Sequence, residues 1–415
     1  MKKKVWILNH YACDTFFDHG GRHYALGKYL RRAGYEPVIF CSNTVHGKNT
    51  LYFDTDELLH EHMAEDIDVP YVFVRARPYR GNGKQRLLNM WDFYCNCRQA
   101  ARIYAEKNGK PDVIYASSVH PLTLLAGIQL ARRYGVKCIC EVRDLWPESL
   151  VAYGIAGKAH PAVILLRCLE KWVYKHSDAV VFTMEGAYDY IRDQGWEHDV
   201  PCSKVFFINN GVDLEVFDRN RNSYTVDDAD LANPEIRSVV YTGSIRKVNG
   251  LGSLLDVAKC VKDPSIRFLI WGDGDELEML KQRLKDEKIE NVVFKGRVEK
   301  QFIPFITSCA ALNYAHNTPS SLFKYGISFN KLFDYMAAGK PVFCDFQYPH
   351  NPVIESGSGI DTDGHDYAST ASAIESIVHL EPSEYERYSV NARKAAQAYD
   401  YSVLTEKFIR LFETL

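Results

Sequence analysis

Short runs of β-branched and apolar residues alternate along this chain with longer segments in which apolar positions recur every third or fourth residue. In the first half the runs are Val5–Leu8, Pro37–Cys41, Tyr71–Val74, Val113–Tyr115, Lys137–Glu141 and Ala179–Thr183, with helical patterns over Arg22–Ala33, Gln85–Asn108, Leu122–Tyr134 and Ala162–His176. In the second half strands are expected at Ser238–Thr242, Arg267–Trp271, Asn291–Lys295, Ala311–Tyr314 and Pro341–Asp345, again with helices between them. Such alternation predicts an α/β chain with two doubly wound parallel sheets, each binding ligand at the carboxyl ends of its strands.

A polar stretch at Val200–Asn210, ending in Asn-Asn-Gly, marks the expected boundary. It separates an N-terminal domain over 1–206 from a C-terminal domain over 207–395. The acidic segment Asp227–Pro234 reads as a surface loop early in the second domain. The closing residues 396–415 carry a helical pattern with Phe408, Leu411 and Phe412 on one face.

Composition narrows the function classes. With 415 residues the chain has room for two to three domains, and a net charge of −3 argues against bulk nucleic-acid binding. The eleven cysteines include no C-x-x-C pair, and Cys95, Cys97, Cys138 and Cys140 lack histidines at zinc spacing. Scattered thiols of this kind fit a reducing cytosol. After the basic start, Val5–Leu8 is too short an apolar run for a signal peptide, and no run reaches bilayer length. A cytoplasmic protein, soluble or resting on a membrane surface, is expected.

The segment Leu322–Val342, LFKYGISFNKLFDYMAAGKPV, reads as a turn leading into the start of a helix. A helix start offers free N–H groups and the positive end of its dipole, and therefore attracts anions. Ser328, Asn330 and Lys331 stand at that start, and Asp334, one turn in, can accept both hydroxyls of a ribose. An ordinary amphipathic helix, with Leu332, Phe333, Met336 and Ala337 packed inward, fits the same residues.

This segment resembles the signature helix of the GT4 glycosyltransferases, especially the bacterial branch that builds surface polysaccharides such as O-antigen and capsule. Matching landmarks run in order from Gly20 to Lys340. Most of that family carries two glutamates here; Asp334 matches the second, and Gly326 falls where the first stands. The resemblance implies a GT-B architecture, two Rossmann-like domains facing across a cleft, with the closing helix 396–415 crossing back onto the first.

In the donor half, the resemblance assigns the diphosphate to the loop after Ser238–Thr242. Gly243 allows close backbone approach. The family's G-R-x-x-x-K-G pattern is altered: Ser244 replaces its Arg and Asn249 its Lys, while Arg246 and Lys247 lie between. Two cations in a short loop can still neutralise a leaving diphosphate. Gly272 and Gly274 resemble a second glycine turn against the nucleotide, and Arg297-Val298 a loop whose main chain reads the base. Neither Asp273-x-Asp275 nor Asp361-x-Asp363 is read as a metal site. No metal and no cofactor are expected, the nucleotide sugar being a substrate.

In the acceptor half, Gly20-Gly21 precedes a helix, an arrangement that permits close approach of the backbone to a ligand. His120, in Ser117-Ser118-Val119-His120-Pro121, resembles the histidine that the family places beside the reacting sugar. A structural helix cap is the alternative. Asp144, in Glu141-x-Arg143-Asp144-x-Trp146-Pro147, matches an acidic position near the acceptor, with Arg143 expected to pair with it or with a substrate phosphate. The implied reaction is retaining transfer from a nucleotide sugar, on one face, with the departing phosphate oxygen taking the acceptor proton. Catalysis would rest on His120, Asp144, Arg246 and Lys331. Gly326 removes a side chain that usually touches the sugar's outer hydroxyls. Either backbone and Lys331 compensate, or the donor is an N-acetylated or deoxy hexose.

Between Val74 and Gly109 lie Arg75, Arg77, Arg80, Lys84, Arg86, Arg98, Arg102 and Lys107 against only Asp92 and Glu106. Tyr79, Leu87, Leu88, Met90, Trp91, Phe93 and Tyr94 are interleaved. This fits a basic amphipathic surface on the inner face of an anionic membrane, or a pocket for a polyprenyl-diphosphate-linked glycan. It equally fits a solvated helix with an ordinary core face. The leading expectation is a retaining hexosyltransferase using a nucleotide sugar, UDP-linked by preference. A nucleotide-sugar 2-epimerase and a non-catalytic nucleotide-sugar-binding subunit are the competing readings.

Overall fold

Eight strands of the first half form one sheet, and six of the second half form another. The computed structural model describes every residue except Met1, Asn82 and Val119, and of Ser118 the backbone only; Val119 of the Ser117–Pro121 motif thus lies outside the described residues. The chain divides into two units, Met1–Asn209 with Tyr401–Leu415, and Asn210–Asp400.

In the first unit, strands β1 (Lys4–Leu8), β2 (Glu36–Ser42), β3 (Leu59–Ala64), β4 (Val69–Val74), β5 (Val113–Ser118), β6 (Lys137–Val142), β7 (Ala179–Phe182) and β8 (Val205–Phe207) lie in the order β8-β7-β6-β5-β1-β2-β4-β3. Every pairing is parallel except that of β3, which runs antiparallel on the edge. Successive side chains of β1 point to opposite faces, and both faces are covered. Val5 and Ile7 join one core cluster, whereas Trp6 packs edge-on against Tyr104 and Tyr134 on the other side. The order reverses between β1 and β5, so their carboxyl ends flank the crevice where doubly wound sheets take ligands.

Helices α1 (Arg22–Arg32), α2 (Lys84–Asn108), α3 (Pro121–Tyr134), α4 (Glu148–Ala152) and α5 (Pro161–His176) cover this sheet. Their starts are legible in local chemistry. Pro121 and Pro161 sit in first turns, where the fixed φ suits the helix and the missing N–H costs nothing. Gly135, at φ 66, ends α3 in the left-handed conformation.

In the second unit, β9 (Arg237–Thr242), β10 (Ile266–Trp271), β11 (Val292–Gly296), β12 (Leu312–Ala315), β13 (Val342–Cys344) and β14 (Gly359–Asp361) pair in parallel throughout, in the order β11-β10-β9-β12-β13-β14. The reversal here falls between β9 and β12. Helix α6 (Asn330–Ala337) leads from β12 towards β13, and α7 (Pro382–Ala398) packs against it.

Besides two strands without a sequence signal, Leu59–Ala64 and Gly359–Asp361, the structure departs from the sequence expectation in its connections. Strand β8 lies inside Val200–Asn210, the stretch expected to be a polar boundary. The acidic segment near Asp227 is no free loop: Ala229–Ala232 makes a helical turn, and Asp228 and Asp230 each hold Lys295 at 2.6 Å. The helical pattern from Ala396 onward is interrupted after Ala398 and resumes as α8 (Tyr401–Thr414). At the break, the Asp400 carboxylate accepts the N–H of Leu214 at 3.2 Å. Phe408, Leu411 and Phe412 of α8 are buried in the first unit's core, and α8 packs on α1.

Candidate functional site

In the second unit the candidate residues gather at the carboxyl ends of β9, β10 and β11 and at the start of α6. The loops after β9 and β10 continue the strand pairing: Gly243 N–H donates to the Trp271 carbonyl (3.0 Å) and Ile245 N–H to the Asp273 carbonyl (2.9 Å). A Cβ on Gly272 would lie 1.8 Å from the Gly243 carbonyl oxygen, and one on Gly274 2.0 Å from that of Ile245. Close approach of the two loops is therefore what these glycines serve. The next loop joins through Gly272 N–H to the Gly296 carbonyl (2.9 Å). Beyond it, Arg297 is exposed, while Val298 packs into a small apolar cluster with Val240 and Trp271.

Tyr335 fixes α6 to this edge, its hydroxyl accepting the Thr242 N–H at 2.9 Å. That places Lys331 with its ammonium 4.3 Å above the Tyr241 ring, donating to the Tyr241 hydroxyl at 3.1 Å. A Cβ on Gly243 would lie 3.5 Å from the same ammonium. Lys331 has no carboxylate partner among the described residues, and burial pulls its pKa below the usual lysine value. Phe329 at the helix N-cap supplies no side-chain acceptor, and Asn330 is exposed. An under-compensated cation at an uncapped helix start is an anion site.

Asp334, one turn on, is pushed up to about 7 by burial, against a weaker opposing pull from Lys300. None of the described residues donates a hydrogen bond to its carboxyl group, so its acceptor capacity is open to a diol. Gly326 adopts φ 89, a conformation that favours glycine. The residue standing at the family's glutamate position thus belongs to a turn in which a side chain would be strained.

The two altered positions of the first loop bond to each other. Asn249 donates to the Ser244 carbonyl (2.6 Å) and hydroxyl (2.8 Å). Arg246 and Lys247 project from this pinned loop, exposed and without an ion-pair partner among the described residues. Its far end is held by His316, whose Nε2 lies 3.0 Å from the Gly250 carbonyl while Nδ1 bonds Asp345. Ser328 is engaged otherwise: its hydroxyl accepts the Asn210 N–H (2.9 Å), and its carbonyl the Asn210 amide (2.6 Å). It braces the turn before α6.

In the first unit, His10 follows β1 and His120 follows β5, bringing both to the sheet's reversal. Their rings meet, Nδ1 of His10 lying 2.8 Å from Nε2 of His120. His10 is stacked between Tyr11 and Phe93, with ring centroids 4.5 and 4.4 Å away. Burial, then the charge of Arg86, lowers the His120 pKa to about 3, so its ring is neutral. His120 occupies the N-cap position of α3, yet its ring makes no capping bond. A small cavity lies against it, lined by Asp144, Trp146, Glu170 and Tyr174 among others. The Asp144 side chain is exposed, and desolvation by its surroundings raises its pKa against the opposing charges of Arg143 and Arg86. Glu170 accepts from the Tyr174 and Tyr190 hydroxyls at 2.7 Å each, and burial pushes it up to about 8. Arg143 forms no ion pair with Asp144 among the described residues, though its charge opposes the rise in the Asp144 pKa; of the two expected partners, the substrate phosphate stays open to it.

Gly21, at φ 94, is the N-cap of α1 and turns the chain sharply into it; Gly20 precedes it. Beneath them runs a network without a local sequence signal. Arg22 donates through Nε to Glu141 at 2.7 Å and through its terminal nitrogens to the Asn209 and Ile208 carbonyls (2.5 and 2.9 Å). Glu141 also accepts from the hydroxyls of Tyr115 and, at 2.6 Å, Ser117. Burial alone would raise the Glu141 pKa; Arg22, Arg143 and His23 reverse this and hold it at about 2. The only signal for it is a charge inside the otherwise apolar run of β6, Glu141, which calls for a buried cation elsewhere in the chain.

Several cations of the basic stretch 75–107 are engaged in local contacts. Arg75 donates to the Asp56 carbonyl (2.7 Å), Arg77 pairs with Asp92 (2.5 Å) and Lys107 with Glu61 (3.1 Å). Tyr79, Met90, Phe93 and Tyr94 are core residues. Arg86 turns inward, its Nε 3.2 Å from the Tyr11 hydroxyl beside His10. Arg75, Arg77 and Lys107 stay exposed despite these contacts, as do Arg80, Lys84, Leu87 and Trp91.

Two family models match this chain, one described as a glycosyl transferase 4-like domain over residues 20–211 and one as glycosyl transferases group 1 over 227–395. The probable glycosyltransferase WbjE of Pseudomonas aeruginosa is 26% identical over 307 residues, covering 71% of this chain and 73% of that protein. Sucrose-phosphate synthase from Thermosynechococcus elongatus superposes with a TM-score of 0.73 at 18% identity, over 100% of this chain and 99% of that one. Anabaena HepE, solved in complex with UDP-glucose, gives 0.65 at 15% identity over 99% and 100%. An Escherichia coli structure bound with UDP-2-fluoro glucose gives 0.72 at 12% identity over 100% and 99%. The fold is that of the GT-B glycosyltransferases. The chain belongs to their GT4 family.

Proposed function

We propose that this chain is a retaining hexosyltransferase. It moves a hexose or N-acetylhexosamine-type sugar from a UDP-sugar to a lipid-diphosphate-linked glycan, in surface-polysaccharide assembly on the inner face of the membrane. The observation that carries the donor half is Lys331: a lysine with no carboxylate partner among the described residues, at an uncapped helix start, one turn before an acid to which none of the described residues donates. HepE, which shares the fold, is complexed with UDP-glucose, and this supports the same donor class.

In this reading Lys331, Arg246, Lys247 and the α6 start take the diphosphate, and Asp334 takes the ribose. The main chain at Gly296–Val298 lies against the base. As the sugar–phosphate bond breaks, negative charge grows on the diphosphate, and these fixed cations stabilise it without a divalent ion. The neutral His120 ring, steadied by His10, faces the hexose. Asp144 orients the acceptor hydroxyl, whose proton passes to the departing phosphate oxygen. Arg80, Lys84 and Trp91 meet anionic lipid.

The test is sugar release and transfer from a panel of UDP-, GDP- and dTDP-sugars, with and without EDTA, using a membrane lipid extract as acceptor. Turnover of a UDP-sugar, with retained anomeric configuration and no loss in EDTA, is expected. C2 inversion of the donor sugar would point instead to an epimerase. Binding without turnover under every condition would make the chain a nucleotide-sugar-binding subunit, a reading that the mutually bonded Ser244 and Asn249 favour.

A further inference from the structure

From Ser149 through Leu169 the chain carries no acidic residue, and its cationic side chains are Lys158, His160 and Arg167. In the structure this stretch is α4 beyond its first residue, Glu148, then a tight connection and the first half of α5. Helix α5 buries Val163, Glu170, Val173 and Tyr174 against the sheet. Its opposite face, which in a solvated helix is polar, presents Ile164 and Leu165, 50% and 71% exposed. The connection adds Tyr153 and Ile155 at 56% and 70%. Ile155 and Leu165 are the two most exposed large apolar side chains of the described residues.

The hairpin is nevertheless well formed. Ile155 N–H donates to the Leu150 carbonyl (2.9 Å), the His160 ring accepts the Ala162 N–H (3.2 Å), and Arg167 Nε reaches Glu148 at 3.1 Å. An ordered stretch that holds several large apolar side chains out to solvent marks an interaction site.

We propose that the 149–169 hairpin is a lipid-docking element, seating its apolar side chains at the boundary between the headgroups and acyl chains of an anionic bilayer. Charge selects this occupant. Arg167 is neutralised by Glu148, whereas Lys158 has no acidic partner among the described residues and exposed Arg80 and Lys84 lie on the same edge of the sheet, so the uncompensated charge about the patch is positive and suits anionic headgroups. A second copy of the chain, docked by two-fold symmetry, would set that positive charge against itself.

Position agrees. Helices α2, α3 and α5 each follow a parallel strand and so begin at the sheet's carboxyl edge; α3 packs against both of the others. Exposed Leu87 and Trp91, in the first turns of α2, and Arg80 and Lys84 beside them, therefore share that edge with the hairpin. The apolar part of the docking surface lies on the hairpin, and the sequence-evident basic stretch supplies its cationic flank. The recess holding Asp144 is lined by Val173 and Tyr174 of the same α5, which places a lipid-borne substrate next to its anchor if the proposed function holds.

Flotation of the full chain with vesicles of equal parts phosphatidylcholine and phosphatidylglycerol tests the proposal. The wild type is expected to float with them. An Ile155→Ser, Leu165→Ser double variant is expected to lose at least about tenfold in partitioning, since each apolar side chain withdrawn from the lipid weakens it severalfold. Lys158→Glu is expected to lose binding to the mixed vesicles but not to pure phosphatidylcholine. Wild type that stays with the buffer, or a double variant that floats like wild type, overturns the proposal. So does a wild-type dimer that the double variant converts to monomer, since a second copy would then cover the patch. The vesicles contain no glycan or nucleotide, so a failed donor reading leaves these outcomes unchanged.

Discussion

Replacing Lys331 with alanine is expected to lower turnover of the nucleotide sugar by about a hundredfold to a thousandfold, the range for removing one aimed donor from a site of developing charge. Lys331 is held in place by Tyr241 and by the Tyr335 clamp on Thr242, so its ammonium needs little reorganisation when the diphosphate charge grows. Because burial already works against its charge, the anion that compensates it is strongly favoured. Arg246→Ala and Lys247→Ala are expected to cost less, since both side chains are exposed and water screens them. Steady-state kinetics on the three variants, with thermal melts to verify folding, measures the order. Lys331→Ala as active as wild type would remove the ammonium from the reaction.

The second large effect is on stability. Arg22→Leu leaves the Glu141 carboxylate buried without its cation, and loss of one partner from such a pair costs about 3–5 kcal/mol. For a unit of this size that corresponds to a melting temperature lower by roughly 10 °C. The double variant Arg22→Leu, Glu141→Leu is expected to recover a large part of the loss, because the desolvated charge is gone. Turnover should not recover with it: Arg22 anchors the helix that follows the Gly20–Gly21 turn to the Asn209 and Ile208 carbonyls, and the double variant frees that turn. Thermal melts of the single and double variants decide the first point, and kinetics of the double variant the second.

The architecture was legible in the sequence because buried parallel strands read as short apolar runs and several of the helices between them, such as α1, α2, α3 and α5, start at Pro or after Gly. The strands that escaped lack that signal. Leu59–Ala64 is an edge strand with His60, Glu61 and His62 along it, and Val205–Phe207 and Gly359–Asp361 are three residues each. The surroundings of Lys331 and Asp334 were legible because a helix start, a lysine and an acid one turn on are local in sequence. Contacts across long separations were not. Arg22 and Glu141 lie 119 residues apart. Arg86 turns inward from a helix whose composition suggested a solvated basic face, since periodicity says which face is apolar and nothing about a polar side chain reaching round it. Gly272 and Gly274 carry a ligand-loop resemblance, yet the close approach they permit is to the neighbouring loop.

The central claim is that a nucleotide diphosphate lies along α6 with its ribose on Asp334. Calorimetric titration of a UDP-sugar across the pH range around neutrality tests it most directly, since the sugar-bearing diphosphate has no group titrating there. Ribose hydroxyls bind the ionised carboxylate, and the ligand-free carboxyl group titrates at about 7. Below that value binding must first expel a proton, so affinity is expected to fall towards tenfold per pH unit on the acid side and to level off above it. Asp334→Asn is expected to bind more weakly at high pH and to flatten the profile. A wild-type affinity that does not change with pH, or a slope that survives Asp334→Asn, would place the ribose elsewhere.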